Sequence, residues 1–442
     1  MIDSVEFGLS TRGSRLRDRI HDRTARIAVV GIGRIGLPVA LERARIGYSV
    51  VGIDLDEARV DALNAGVTYY DDVDAGELAQ AVAKGALRAS SDFAELGRCD
   101  VVEICVPSAL TANKDPDLSR LRSVGEAITL QLRSGQLITL ECTAYPGTTE
   151  EVLLPILARS GLIVGEEYFL AFAAECEDRQ CAPPGAKIVA GATPRCREIA
   201  QIFYGQTGQR VFTVSSPRVA EMAKIFASTF RAVNGALVNE LALLCDRMGI
   251  DVWEVVDGAS RPFGITRFDP NPGAGGRFAA FDPFYLAWKA RQFDFTTRFI
   301  ELAGEINVRM PYFVVEKLGR ILNERGRSLR YADVVVIGVA NARDGADWHG
   351  SPAVKVIELL ERAGAAVTYH DPHVASFVDE RGKFRRSIPL DDAQLGAADC
   401  TVILTDHSDI AWERVVESST AVLDARNATA GVATNRHKIV RL

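Results

Sequence analysis

Nowhere does this 442-residue chain run apolar for the roughly 18–20 residues that a membrane-spanning helix needs. It also lacks an excess of positive charge: 51 Lys and Arg stand against 58 Asp and Glu, for a formal net charge of −7. A field of that sign repels nucleic acid rather than gathering it. Paired cysteines are missing too. The eight thiols, at 99, 105, 142, 176, 181, 196, 245 and 400, include no CxxC, and no His/Cys group has zinc spacing, so no metal is expected. Several lie in apolar runs, where cysteine acts as a small hydrophobe. Arg12, Arg15, Arg17, Arg19 and Arg23 crowd the first residues, yet no apolar stretch of signal-peptide type follows them. Residues 1–24 are therefore expected to form a flexible, solvated extension, and the protein to be cytoplasmic with reduced thiols. No internal repeat and no low-complexity tract is visible.

What is present is an alternation. The length calls for two or three domains, and hydrophobic residues make up 48% of the chain, as in ordinary globular proteins. Buried-strand candidates occur at 26–30, 48–56, 99–107 and 136–143, separated by helical patterns. A second set begins at 331–340 and continues through 365–372, 400–406 and 420–427. Such an alternation predicts an α/β fold with parallel sheets covered on both faces. Between the sets, Val219, Met222, Phe226, Phe230, Val233, Leu237, Leu241 and Leu244 recur every three or four residues, which predicts a long helix over 217–248. Glu221, Lys224, Ser228 and Arg231 recur on a different face of it. Residues 262–283, rich in Gly, Pro and aromatics, read as a structured loop.

The first strand enters Gly31-Ile32-Gly33-Arg34-Ile35-Gly36, and a helical pattern follows. The glycine spacing alone is weak, but strand, turn, helix and a following strand that ends at Asp54 form a dinucleotide fingerprint. Gly31 permits the tight turn, Gly33 admits a pyrophosphate close to the backbone, and Gly36 allows helix–strand packing. Asp54 can accept hydrogen bonds from ribose hydroxyls and would repel the extra phosphate of NADP, so NAD is the expected cofactor.

From about residue 26 to 430 the chain resembles the UDP-glucose/GDP-mannose dehydrogenase family, in the blocks VVGIGRIGLPVA, VPSALTANKDPDLS, ECTAYPGTTEEVLLPIL, VAEMAKIFASTFRAVNGALVNELA, PGAGGRFAAFDPFYLAWKA, GSPAVKVIELLERAG and YHDP. The resemblance implies a Rossmann NAD domain (25–212), a central helical dimerisation region (213–325) and a second Rossmann-like, substrate-binding domain (326–442). It also implies cofactor contacts at Val106, Pro107, Ser108 and Thr143, catalytic positions at Thr143, Glu175, Lys224 and Asp282, and a homodimer acting on a sugar, nucleoside or nucleotide sugar.

The family oxidises a primary alcohol twice, trapping the aldehyde on a cysteine. Where its pattern places that cysteine, this chain reads Gly275-Gly276-Arg277-Phe278, with Asp282 four residues on. A phenyl ring is no nucleophile. Cys176, beside Glu175, is the one substitute thiol, and it has no obvious thiolate-stabilising cation nearby in sequence. On the substrate side the family's Lys-x-x-x-Asn becomes Lys224 and Ser228, a lysine becomes Ala342, and Asp-x-Arg-x-Ser becomes Asp347-x-His349-x-Ser351. Lost cations suit a less anionic ligand, unless Arg277 or Arg343 compensates. Gly275, Arg277, Phe278, Ser228, Arg231 and His349 are thus the expected substrate-side residues.

Lys224 is a candidate base or alkoxide partner, Glu175 an acid/base, and Asp282, before Pro283 in the expected loop, competes with a turn-forming role. Three functions remain open at this level. The favoured one is a redox-neutral cycle of oxidation, elimination or epimerisation, and hydride return. The others are a net dehydrogenase working without covalent capture, and an inactive binding protein.

Overall fold

The computed structural model describes residues 9–70, 73–107, 109–111, 115–175, 186–275, 282–379 and 381–442. The chain divides into two compact units, Met1–Ala227 with Phe284–Phe295, and Ser228–Pro283 with Thr296–Leu442.

In the first unit, β1 (Arg26–Val30), β2 (Ser49–Ile53), β3 (Leu87–Ser90), β4 (Val101–Ile104), β5 (Leu137–Leu140), β6 (Phe169–Glu175), β7 (Lys187–Gly191) and β8 (Val211–Thr213) form one sheet, ordered β8-β7-β6-β5-β4-β1-β2-β3. Successive side chains of β1 enter opposite cores: Ile27 and Val29 pack with Leu37, Ala40 and Tyr48, whereas Ala28 and Val30 pack with Val102, Ile104 and Ile138. Burial on both faces is why these strands read as unbroken apolar runs. The sheet is not wholly parallel, as the alternation predicted, because β7 pairs antiparallel with β6. Strand order reverses between β1 and its two neighbours, β2 and β4, so the switch-point crevice lies beyond the carboxyl ends of β1 and β4.

Residues 11–21 correct the expectation of a solvated extension. Thr11–His21 is a helix capped by the Ser10 side chain, and Leu16 and Ile20 are buried in the first unit's core. Tyr48 Oη donates to Ile20 O at 2.9 Å, and Arg19 pairs with Asp100 at 2.7 Å. The arginines hid an i, i+4 apolar pair, enough to dock one helix face.

The second unit holds β9 (Asp333–Ile337), β10 (Ala366–His370), β11 (Cys400–Ile403), β12 (Val422–Asp424) and β13 (Ile439–Arg441), all parallel, in the order β10-β9-β11-β12-β13. The architecture is α/β, with two Rossmann-like sheets and a long helix between them in sequence. That helix spans Pro217–Met248. Ala220, Ile225, Ala232, Ala236, Ala242 and Cys245 are its buried apolar residues, whereas Val219, Met222, Phe226, Phe230, Leu237 and Leu244 of the apolar stripe are 42–63% exposed. Among the described residues, no helix is long and apolar enough to cross a membrane.

Candidate functional site

The glycine turn has the shape its spacing predicts. Gly31 adopts φ +91°, and its N–H donates to Ile53 O at 2.7 Å. A Cβ on Gly36 would stand 1.9 Å from Gly31 O, so only glycine lets the helix Gly36–Ile46 start this close to the turn. A Cβ on Gly33 would meet nothing nearer than 3.9 Å, leaving its backbone open to a ligand. Asp54, just past β2, accepts from Ile32 N at 3.0 Å and lies 3.5 Å from Arg59. Tyr69 Oη donates to Ile32 O at 2.8 Å, and the Arg34 guanidinium lies 5.1 Å from the centre of the Tyr70 ring. Ile35 precedes the helix as its N-cap residue. Val106 and Pro107 follow β4, at the reversal of strand order, while Ser108 lies outside the described residues. A cradle that a Cβ would fill, open backbone at Gly33 and a carboxylate at the end of β2 together fit a dinucleotide.

Elsewhere in the first unit, one buried carboxylate links the segments that carry two catalytic candidates. Thr143, buried after β5, lies on the segment that runs into the turn at Gly147. Glu221, fully buried on the long helix, accepts from Gly147 N (2.6 Å), Thr149 N (2.8 Å) and Thr149 Oγ1 (2.6 Å). Lys224 sits three residues further along the same helix and is half-buried. The Thr143 segment and the Lys224 helix are therefore clamped by one carboxylate. Burial outweighs its three donors and raises the Glu221 carboxyl to about 7.

Two residues before Thr143, Glu141 belongs to a buried charge network. Arg43 bonds Glu103 at 2.8 Å, Lys187 bonds Glu141 at 2.7 Å, and Tyr204 Oη donates to Glu141 at 2.5 Å. Burial works to raise both carboxyls. At Glu141 the charges of Lys187 and Arg43 prevail and keep it low, whereas Glu103 ends above the usual carboxylate range. Residues 43, 103, 141 and 187 come from four separate stretches of the chain, so no local spacing could announce them. Lys187 is also the register partner of Glu175 at the open end of β6. Burial against the strand raises the Glu175 carboxyl, and the Lys187 charge opposes the rise. Although its side chain reaches solvent, Glu175 thus holds a proton more tightly than a free glutamate.

In the second unit, Asp282 is not in a loop as expected. It is the first residue of the helix Asp282–Arg291, fully buried, and the hydroxyl of buried Ser228 donates to it. Proline is tolerated as the second residue of a helix, and this is why Asp282-Pro283 starts one. Ser228, expected on the substrate side, spends its hydroxyl on Asp282; Arg231, one turn on, is half-buried. Gly275 is packed so closely that a Cβ would come within 2.7 Å of Asn341 Oδ1. His349 bonds Asp347 through Nδ1 at 2.8 Å and stacks on Trp348 at 4.1 Å. Asp371 repeats the place of Asp54: it follows β10 and accepts from Val339 N (2.7 Å) and Ala340 N (3.0 Å) of the turn after β9. His373 N, Val374 N and His407 Nε2 also bond it. So engaged and buried, it offers little to a ribose. Gly276, Arg277, Phe278 and Cys176 lie outside the described residues.

Three family models cover most of the chain: the NAD-binding domain of the UDP-glucose/GDP-mannose dehydrogenase family matches residues 25–175, its central domain 218–309 and its UDP-binding domain 335–431. The chain belongs to the UDP-glucose/GDP-mannose dehydrogenase family. It is 30% identical over 391 residues to a UDP-N-acetyl-D-glucosamine 6-dehydrogenase of Pseudomonas aeruginosa, covering 87% of this chain and 91% of the relative. A UDP-N-acetyl-D-mannosamine dehydrogenase of Pyrococcus horikoshii is 30% identical over 417 residues, 91% of this chain and 95% of its own. The solved structure of the UDP-D-ManNAc dehydrogenase from Pyrococcus horikoshii superposes with a TM-score of 0.80, covering 91% of this chain and 96% of that one.

As a family member the chain is an NAD-dependent oxidoreductase of nucleotide-sugar type, and the turn at Gly31–Gly36 with Asp54 is where its own residues suit NAD. Its described cysteines do not suit nucleophilic chemistry. Cys99, Cys105, Cys142, Cys196, Cys245 and Cys400 are all buried. Burial pushes the Cys99 thiol up to about 11 and the Cys400 thiol up to about 12, and raises Cys105, Cys196 and Cys245 as well. Thiols held protonated are poor nucleophiles.

Proposed function

We propose that this protein acts on a CH–OH group of a nucleotide sugar, or of a related sugar or nucleoside, without capturing the product on cysteine. Further, we propose that its reaction is a redox-neutral cycle ending in elimination or epimerisation. The observation that carries the reading is Phe278, which stands in the sequence where the family's pattern has its cysteine. The buried, high-pKa thiols among the described residues support it. Bound NAD supplies hydride removal from the carbinol and hydride return. The backbone of Gly31–Gly36, at a helix N-terminus, would hold its pyrophosphate, and Asp54 its ribose.

Lys224 would stabilise the developing alkoxide or take its proton. Oxidation acidifies the neighbouring C–H, and Glu175, with its raised proton affinity, is suited to move that proton. Thr143 is assigned to the cofactor side, and Asp282, bonded by Ser228, keeps the supporting role that the family match gives it. Net dehydrogenation to an aldehyde, ketone or acid by a non-covalent route is a second reading, which the dehydrogenase activities named for the relatives favour.

The test incubates the full chain with NAD and a panel of nucleotide sugars and nucleosides, following NADH absorbance and product mass together. A new product without net NADH supports the redox-neutral cycle. Net NADH, one per aldehyde or ketone or two per acid formed, selects the second reading, and no product while NAD still binds defeats both.

A homodimer is part of the same proposal. The exposed stripe from Val219 to Leu244 runs along most of a 32-residue helix, and a second copy of the chain is the occupant proposed for it.

A further inference from the structure

Four chemistry-bearing side chains converge at the carboxyl edge of the second unit's sheet, on three separate loops. Asp344 lies on the loop after β9, His373 on the loop after β10, and His407 and Asp409 on the loop after β11. Each offers one ligand atom, and these atoms all lie within 4.8 Å of one another. His373 Nε2 is buried with no hydrogen-bond partner among the described residues, and Asp409 Oδ2 is 3.6 Å from it. His407 Nδ1 lies 4.0 Å from Asp344 Oδ1, and the two imidazole rings stand 4.8 Å apart.

We propose that Asp344, His373, His407 and Asp409 form a binding site for a divalent transition-metal ion of the zinc class. The donor set argues the class. Two imidazoles with two carboxylates suit zinc and its neighbours, whereas magnesium and calcium prefer oxygen alone. Two neutral imidazoles and two carboxylates also balance a 2+ charge. Ligand atoms around a four-coordinate zinc lie roughly 3.3–3.5 Å apart, given bonds of about 2 Å, so the cluster needs only a small contraction.

The outer shell is already built. Asp371 accepts from His407 Nε2 at 3.1 Å, which fixes the tautomer and turns the Nδ1 lone pair toward the cluster. That lone pair now accepts the Asp344 N–H at 3.1 Å, a bond an ion would replace. Ser408 donates to both Asp344 oxygens, through N at 2.7 Å and Oγ at 2.8 Å, and these bonds lower the Asp344 carboxyl so that it stays ionised. A bound ion would tie together three loops at the edge where open α/β sheets receive ligands. The local spacing rule missed the site because its ligands, apart from the last two, are 29 and 34 residues apart in sequence.

The experiment strips the full chain with a chelator and titrates it with Zn²⁺ by calorimetry, with Mg²⁺ in parallel. Expected are one saturable Zn²⁺ per chain, no comparable Mg²⁺ binding, and affinity weakened at least tenfold by His373→Ala and by Asp409→Asn. His437→Ala, which removes an exposed histidine elsewhere, should leave the titration unchanged. Circular dichroism checks folding, and exposed Asp409 makes its variant the one least able to disturb it. Absence of saturable Zn²⁺ binding overturns the proposal. So do a titration that neither cluster variant changes, an equal loss from His437→Ala, or Mg²⁺ binding as tight as Zn²⁺.

Discussion

Replacing Gly36 by alanine sets two physical terms of opposite sign against each other. Within a helix, alanine is favoured over glycine by up to about 1 kcal/mol, so propensity alone predicts stabilisation. The added Cβ would stand 1.9 Å from Gly31 O, 3.0 Å from Gly31 C and 3.1 Å from Cys105 Cβ. The closest of these atoms are backbone and cannot rotate away, so the turn itself must move. Overpacking of this kind costs roughly 1–3 kcal/mol, which exceeds the propensity gain. The displaced backbone is the part that would meet a pyrophosphate. Gly36→Ala is therefore expected to lower the melting temperature and to weaken NAD at least tenfold, about 1.4 kcal/mol, by calorimetry. Gly258→Ala is the control: it lies within the helix Val252–Phe263, and its added Cβ meets nothing within 4 Å. That variant should keep its NAD affinity and lose no stability. If Gly36→Ala binds NAD as the unmodified chain does, the packing argument for the turn is wrong.

The unmodified protein should bind NAD more tightly than NADP, and Asp54→Asn should narrow that preference; equal affinities in the unmodified chain would remove the role given to Asp54. Glu221 carries a pH prediction with a definite sign. Its folded carboxyl sits at about 7 against 4.5 in a free glutamate, so its contribution is full below pH 4.5 and is lost as pH rises through 7, worth on the order of 3 kcal/mol. Urea melts from pH 5 to 8 should show stability falling with pH and a flatter slope in Glu221→Gln; an identical slope would contradict the burial argument. Light scattering at micromolar concentration should find a dimer, and Leu237→Glu should shift it toward monomer, whereas a monomeric unmodified chain would refute the stripe as an interface.

What could be read from the sequence was local. The Gly31–Gly36 turn, Asp54 and the paired sets of strands are each written in a few adjacent residues, because β-branched runs and glycine spacing report backbone geometry directly. The helix Thr11–His21 is hard to see in sequence because five arginines near its span mask the apolar pair Leu16 and Ile20. Asp-Pro is a turn signal as well as a helix start, so at the end of a Gly-, Pro- and aromatic-rich stretch the sequence does not mark Asp282 as the start of a helix. The clamp from Glu221 to Gly147 and Thr149, the Arg43–Glu103 and Lys187–Glu141 pairs, and the Asp344–His373–His407–Asp409 cluster all join residues far apart in the chain. They exist only once the sheets are assembled, and periodicity carries no trace of them. Glu221 did share a helix face with Lys224 in the heptad-like spacing, and that was the one available hint.

The central claim is that oxidation here proceeds without covalent capture on cysteine. The measurement that tests it most directly supplies UDP-glucose with excess NAD and counts NADH per uronic acid formed, with mass spectrometry of the quenched protein to detect any thioester. The account predicts no turnover at two NADH per acid and no thioester on any cysteine. Robust turnover with that stoichiometry, together with a thioester trapped at Cys176, would contradict it.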